Sequence, residues 1–126
     1  MTFISFLKNL FSSQKQATKF PKVVVGKIID VELHPNADRL RIAVVDVGQT
    51  LRIVCGAPNI QAGQLVPVAL LGASLPNGVI IKEAVIRGVP SSGMLCAEDE
   101  LGLGTDHSGI KILSSGTIGE PIDAYL

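Results

Sequence analysis

An all-β fold, built as a small barrel or sandwich, follows from two features of the 126-residue sequence. Five or six β-rich runs recur at roughly ten-residue spacing, separated by clusters of Gly, Pro and Asn. The apolar residues, 47% of the chain, are mostly Val, Ile, Leu and Ala, and Trp is absent. Such β-branched side chains suit a pleated, half-buried surface. This length supports one core, because a second would leave each too little apolar surface to bury.

Taken in order, Phe3, Phe6, Leu7, Leu10 and Phe11 fall at helical spacing and predict one amphipathic helix over residues 2–11. Ser12 to Lys22 is polar and flanks Pro21, so it reads as a linker. VVVGKIIDVEL (Val23–Leu33) predicts a strand, with Gly26 at a bulge or a close approach. HPNAD (His34–Asp38) is a turn, Pro35 presetting φ while Asn36 and Asp38 supply local hydrogen bonds. Leu40–Gly48 and Leu51–Gly56 predict a hairpin joined at Gly48-Gln49-Thr50.

Ala57–Gln64 reads as a loop and Val66–Ala73 as a strand, at a sheet edge because of Pro67. After the turn Pro76-Asn77-Gly78, Val79–Val89 reads as one further strand. Pro90–Gly93 turns into MLCA (Met94–Ala97), Glu98–Leu101 makes one helical turn stopped by Gly102, and Gly109–Leu113 gives a last short strand. The organisation expected is a helix and linker over residues 1–22, the β domain over 23–113 and an extension over 114–126.

Net charge is zero, from 11 basic and 11 acidic residues, whereas generic polyanion binders carry a basic excess. Its distribution is uneven. Residues 1–22 hold Lys8, Lys15, Lys19 and Lys22 with no acid, and residues 98–126 hold six acids against Lys111 alone. The two ends are therefore complementary, and the apolar stripe on residues 2–11 is too short to be helical alone in water. It is expected to dock on the carboxy-terminal region, within the chain or, as the preferred alternative, across a homodimer interface.

No apolar run approaches the ~18 residues of a membrane span, so no membrane partner is expected. The opening MTFISFLKNLF is no convincing signal peptide, since Lys8 and Asn9 break its apolar stretch. The absence of acids through residue 29 keeps a targeting segment as the alternative, against an expected cytoplasmic location. Cys55 and Cys96 are expected to be reduced and buried as small hydrophobes. Zinc would need paired short spacings that are missing, so no metal and no cofactor is expected.

Catalysis finds little footing. Ser91-Ser92-Gly93 lacks the spacing of a nucleophile elbow. His34 and His107 each neighbour an acid, which in a loop is ordinarily structural. No P-loop is present, and Gly102-Leu103-Gly104 is too short for a dinucleotide loop. No catalytic residue is assigned.

Nucleic acid fits better. A barrel of the OB type presents its second and third strands, and the loops beside them, to its ligand. Arg39 and Arg41 stand at the exit of HPNAD, where alternate strand positions share a face. Arg52, Lys82 and Arg87 come from neighbouring strands. Between Val23 and Ala124 there is no aromatic residue, so base stacking worth roughly 1–3 kcal/mol per base is closed to it. RNA would have to be read by backbone and folded shape, with arginine planes or Met94 against an exposed base.

VGKIIDVELHPNADRLRIAVVDVG, IVCGAPNI, VPVALLGASLP and IRGVPSSGMLCAEDELGLGTDHSGI resemble the tRNA-binding domain near the start of bacterial phenylalanyl-tRNA synthetase β subunits. The same superfamily includes the carboxy-terminal domain of methionyl-tRNA synthetase, endothelial monocyte-activating polypeptide II and free-standing bacterial tRNA-binding proteins. The resemblance implies a five-stranded OB-fold that contacts the outer corner of tRNA without catalysis. By position it implies RNA contacts from Arg39, from Ser92, Gly93 and Met94, and from the adjoining Cys55, Asn59 and Arg87. Arg41 and Lys82 complete the expected face. tRNA is the expected partner, with an aminoacyl-tRNA synthetase and a second copy of the chain as further candidates. The alternatives are a fragment of the β subunit, and a protein-interaction or chaperone-like module that keeps the fold without RNA.

Overall fold

The computed structural model describes residues 19–126, so the helix expected over residues 2–11 lies outside the described residues. The described residues are all-β and form a nearly closed five-stranded barrel of the OB type. Its strands are β1 (Val23–Leu33), β2 (Arg41–Asp46), β3 (Thr50–Cys55), β4 (Leu65–Ala69) and β7 (Met94–Leu95), in sheet order β3-β2-β1-β4-β7. Two short strands, β5 (Ala84–Ile86) and β6 (Val89–Ser91), make a separate hairpin.

The length of β1 lets it serve two neighbours. Residues 23–27 pair with β4 and residues 27–33 pair with β2. The register slips between Ile28 and Asp30, a bulge that leaves Ile29 51% exposed. Gly26 is a close approach: a Cβ there would lie 2.5 Å from Val68 Cγ2 and 2.7 Å from Val45 Cγ1. The β2–β3 hairpin turns where Asp46 Oδ1 accepts the Gly48 N–H at 2.8 Å, a short polar side chain fixing a tight reversal.

The barrel closes at a seam between β3 and the end of β6, at Ser91 and the Ser92 that follows it. Ser91 Oγ accepts the Val54 N–H at 3.0 Å, and Ser92 N–H donates to Arg52 O at 3.0 Å. Ser91 is 2% exposed, so its hydroxyl replaces a ladder bond where no strand continues. Ser91→Ala is expected to lower stability by about 1–3 kcal/mol, because a buried N–H loses its acceptor. Urea unfolding checks this, and a loss below ~0.5 kcal/mol would mean the seam is held elsewhere.

Two apolar clusters fill the molecule. The barrel interior holds Ile28, Ala43, Val45, Ile53, Val66, Val68 and Leu95 among others. The second lies around Val23, Val25, Ala69, Leu101, Leu113 and Ile122. Ile122 is fully buried, and Val25 N–H donates to Glu120 O at 2.9 Å, so the last residues pack onto β1. Lys19 N–H donates to Asp123 Oδ2 at 2.8 Å across 104 positions.

Three expectations need correction. Val79–Val89 is not one strand. Ile81 exchanges backbone bonds with Ala73 and Gly72, and residues 84–91 fold back as the β5–β6 hairpin. The reversal sits at Arg87 and Gly88, with φ of 52° and 88°, a two-residue turn with both central residues left-handed. Pro67 is also not on an outer strand, because β4 lies between β1 and β7. Cys96 N–H donates to Pro67 O, and Cys96 O, with no Pro67 N–H to accept, takes the Lys111 N–H at 3.1 Å. Gly109–Leu113 is held by isolated bridges, Ile110 to Ala97 and Leu113 to Leu65, rather than by a strand.

Candidate nucleic-acid interface

His34 follows β1 and is 7% exposed, an unusual place for a polar ring unless both nitrogens are bonded. Its Nδ1 accepts the Asn36 N–H at 3.0 Å, which leaves the proton on Nε2 to be donated to Ile86 O at 3.0 Å. Asn36 Nδ2 donates to Arg87 O at 3.2 Å, and Arg87 Nη2 donates back to Asn36 O at 3.3 Å. Three hydrogen bonds thus join the HPN turn to the tip of the β5–β6 hairpin, and the fourth, within the turn, orients the His34 ring. They bind the first inter-strand loop of the barrel to the hairpin carried by the long connection from β4 to β7.

This junction presents cations outward. Arg87 is exposed at the hairpin tip, and Arg39 is exposed in the turn three residues after Asn36. Leu33, 85% exposed, and Val85, 69% exposed, stand next in sequence to His34 and Ile86. A cationic edge with apolar neighbours suits phosphate contact plus the apolar face of an unstacked base.

The other anticipated residues are placed differently. Arg41 is half-buried and donates to Ala57 O at 3.0 Å and Ile60 O at 3.5 Å, tying β2 to the CGAPNI loop. Arg39 lies in a turn, so the shared strand face with Arg41 does not arise. Arg52 pairs with Glu32 at 2.7 Å, a part-exposed pair worth at most about 1 kcal/mol. Lys82 is exposed just before β5. Asn59 clamps Ile110, Nδ2 donating to its carbonyl and Oδ1 accepting its N–H, both at 2.9 Å. Gly93 passes so close to β4 that a Cβ would lie 2.9 Å from Ala69 O.

Cys55 and Met94 meet in a separate cleft of about 410 Å³, lined also by Gly56, Pro58, Glu100 and His107. Burial pushes the Cys55 thiol up, and it pushes the Cys96 thiol up to about 12, so neither is poised as a nucleophile. The hydrogen bond that His107 makes to Asp99, and the Asp99 charge, raise His107, and bonds from Ser108 lower Asp106. Asp99, Glu100 and His107 each offer a ligand atom within 4.8 Å of the others. Those groups are engaged locally: Glu100 Oε1 accepts the Ala97 N–H at 2.8 Å and Asp99 Oδ1 bonds His107 Nδ1 at 2.8 Å. The arrangement braces a turn and confers negative charge on that side.

In the sequence His34 reads as an ordinary structural loop histidine and Ser91 only as part of a triplet without nucleophile-elbow spacing, so the junction and the seam that they make are not expected. The signal for His34 was its place between a strand end and Pro35, where a ring turned inward replaces missing backbone partners. For Ser91 no local signal exists, since its partner Val54 is 37 positions away.

Residues 23–120 match the family described as "Putative tRNA binding domain". The chain is 58% identical over 93 residues to the "Phenylalanine--tRNA ligase beta subunit" of Nitratidesulfovibrio vulgaris, covering 72% of this chain and 12% of that one. Identity to the subunit of the same name from Chlorobaculum tepidum is 54% over 112 residues, covering 83% and 14%. With that from Chlorobium chlorochromatii it is 48% over 133 aligned positions, covering 100% and 16%. The chain therefore spans only 12–16% of the length of these relatives. Among solved structures, the C-terminal domain of Plasmodium vivax p43 superposes with a TM-score of 0.57 at 25% identity, over 81% of this chain and 58% of that one. A MetRS related protein from Pyrococcus horikoshii shares the fold, with a TM-score of 0.59 at 20% identity over 81% and 88%.

Proposed function

The chain belongs to the tRNA-binding domain family that its residues 23–120 match, and from that premise we propose that the HPN turn and the β5–β6 hairpin form one rigid cationic edge gripping folded tRNA. The module is a non-catalytic tRNA binder, corresponding to the tRNA-binding part of the synthetase subunit and not to its catalytic part. The observation that carries the reading is the three-bond junction of His34 and Asn36 with Ile86 and Arg87, which fixes two loops before any ligand arrives. A preformed edge avoids the ordering cost that mobile loops would impose on binding.

Zero net charge is no obstacle to this reading. The acids at Glu98, Asp99, Glu100 and Asp106 lie in one stretch, leaving phosphates to approach by the arginine edge. Recognition then rests on backbone and shape, in keeping with the absence of aromatic residues between Val23 and Ala124. A gel shift with bulk tRNA against an unstructured RNA of equal length tests it. Folded tRNA is expected to bind more tightly, with log affinity falling against log salt by a slope of a few units. Equal affinity for both RNAs would overturn shape recognition, and salt independence would overturn the phosphate contacts.

A cytoplasmic setting, a homodimer and an aminoacyl-tRNA synthetase partner belong to the same proposal. The resemblance to free-standing superfamily members supports the dimer, since two edges side by side raise avidity through effective concentration. Light scattering that returns a monomer mass at binding concentrations would remove the dimer. The alternative of an OB module without RNA is not favoured by the family match.

A further inference from the structure

An apolar groove of about 590 Å³ opens between the 3-10 turns at Asp99–Leu101 and Ile122–Tyr125, lined by Phe20, Pro76, Leu101, Leu103 and Leu126. Phe20 and Leu101 are buried in it, whereas Leu103 and Leu126 remain 40% and 46% exposed. Lys19 and Asp123 form the rest of its wall, joined by the Lys19 N–H to Asp123 Oδ2 bond. Asp123 Oδ1 is buried and has no hydrogen-bond partner among the described residues. A buried carboxylate oxygen without a donor is costly, and here it sits beside the first described residue.

We propose that this groove is the seat of the chain's own residues 2–11. Five features select that occupant. The first described residue, Lys19, stands in the wall of the groove, so residue 18 is joined to the chain at that wall. Phe3, Phe6, Leu7, Leu10 and Phe11 supply one apolar stripe of the kind that covers Leu103 and Leu126. Residues 12–18 reach at most roughly 23–25 Å when extended, enough to fold the stripe back. Residues 1–18 carry Lys8 and Lys15 with no acid, and residues 98–126 carry six acids against one lysine. Ser12, Ser13 and Thr18, on the connecting stretch, carry hydroxyl and backbone donors of the kind that Asp123 Oδ1 lacks. The seat is independent of RNA binding and does not require a second copy.

Amide hydrogen exchange on the full chain tests the proposal. Residues 2–11 are expected to be protected in the parent protein. Leu103→Ser and Phe6→Ser are each expected to speed their exchange by at least about tenfold, with β1 to β4 protection unchanged in both. If Leu103→Ser also loosens β1 to β4, Leu126→Ser takes its place as the groove variant. Unprotected residues 2–11 in the parent chain would overturn the proposal, as would protection that survives both the groove variant and Phe6→Ser. Protection that fades on dilution together with a halving of mass would also overturn it, and would assign the groove to a neighbouring copy.

Discussion

Gly93→Val is expected to unfold the barrel or nearly so, although the glycine stands in the motif expected to touch RNA. Its φ of 145° is one that L side chains rarely adopt. A Cβ would lie 2.9 Å from the Ala69 carbonyl and 3.3 Å from Ile53 Cδ1, the first of these a backbone atom that cannot swing aside. Overpacking typically costs about 1–3 kcal/mol and a strained backbone a further 1–3, together about 2–6 kcal/mol. Against a total stability on the order of 5–15 kcal/mol, that removes much or all of the margin. The urea midpoint should collapse, or the protein should be recovered unfolded. A variant with the parent midpoint would show that β4 and the Ser92–Met94 segment have room to separate.

The second large effect falls on binding and spares the fold. In the double variant Arg39→Ala with Arg87→Gly, each arginine removed is expected to cost about 1.5–3 kcal/mol if it holds a phosphate, or roughly 10²-fold or more in tRNA affinity together. The salt slope should flatten by about one unit per arginine. Stability should move little, because Arg39 is an exposed site and glycine accepts the φ of 52° at position 87 without strain. Parent-like affinity in a folded double variant would show that tRNA approaches another face.

These two variants separate what was legible in the sequence from what was not. Strands β1, β2 and β3 were readable because their apolar residues recur on a barrel-facing side and their limits fall at His34-Pro35 and Gly48. The hairpin within residues 84–91 was hidden because its turn uses Arg87-Gly88, and arginine carries no propensity for a left-handed φ. That conformation is held by Asn36, 51 positions earlier, so only the assembled fold explains it. Arg41 and Asn59 carried the same ambiguity. An arginine one position into a strand looks like a surface cation, yet this one curls inward to carbonyls of the next loop. An asparagine in a Pro-Asn loop looks like turn chemistry, yet this one matches the donor and acceptor of Ile110. Arg39 and Arg87 were legible as cations, but their common edge depends on the His34 ring, whose orientation no spacing reveals.

The hydrogen bond between Lys19 and Asp123 bears on more than local order. A span that is entered and left at one spot makes a portable cassette. Polypeptides whose ends adjoin tolerate circular permutation and insertion into foreign loops, because the host backbone on each side of the splice need not move. Grafted this way into a surface loop of an unrelated protein, residues 19–123 carry their seam, both apolar clusters and the arginine edge with them. The host has only to offer two neighbouring attachment points.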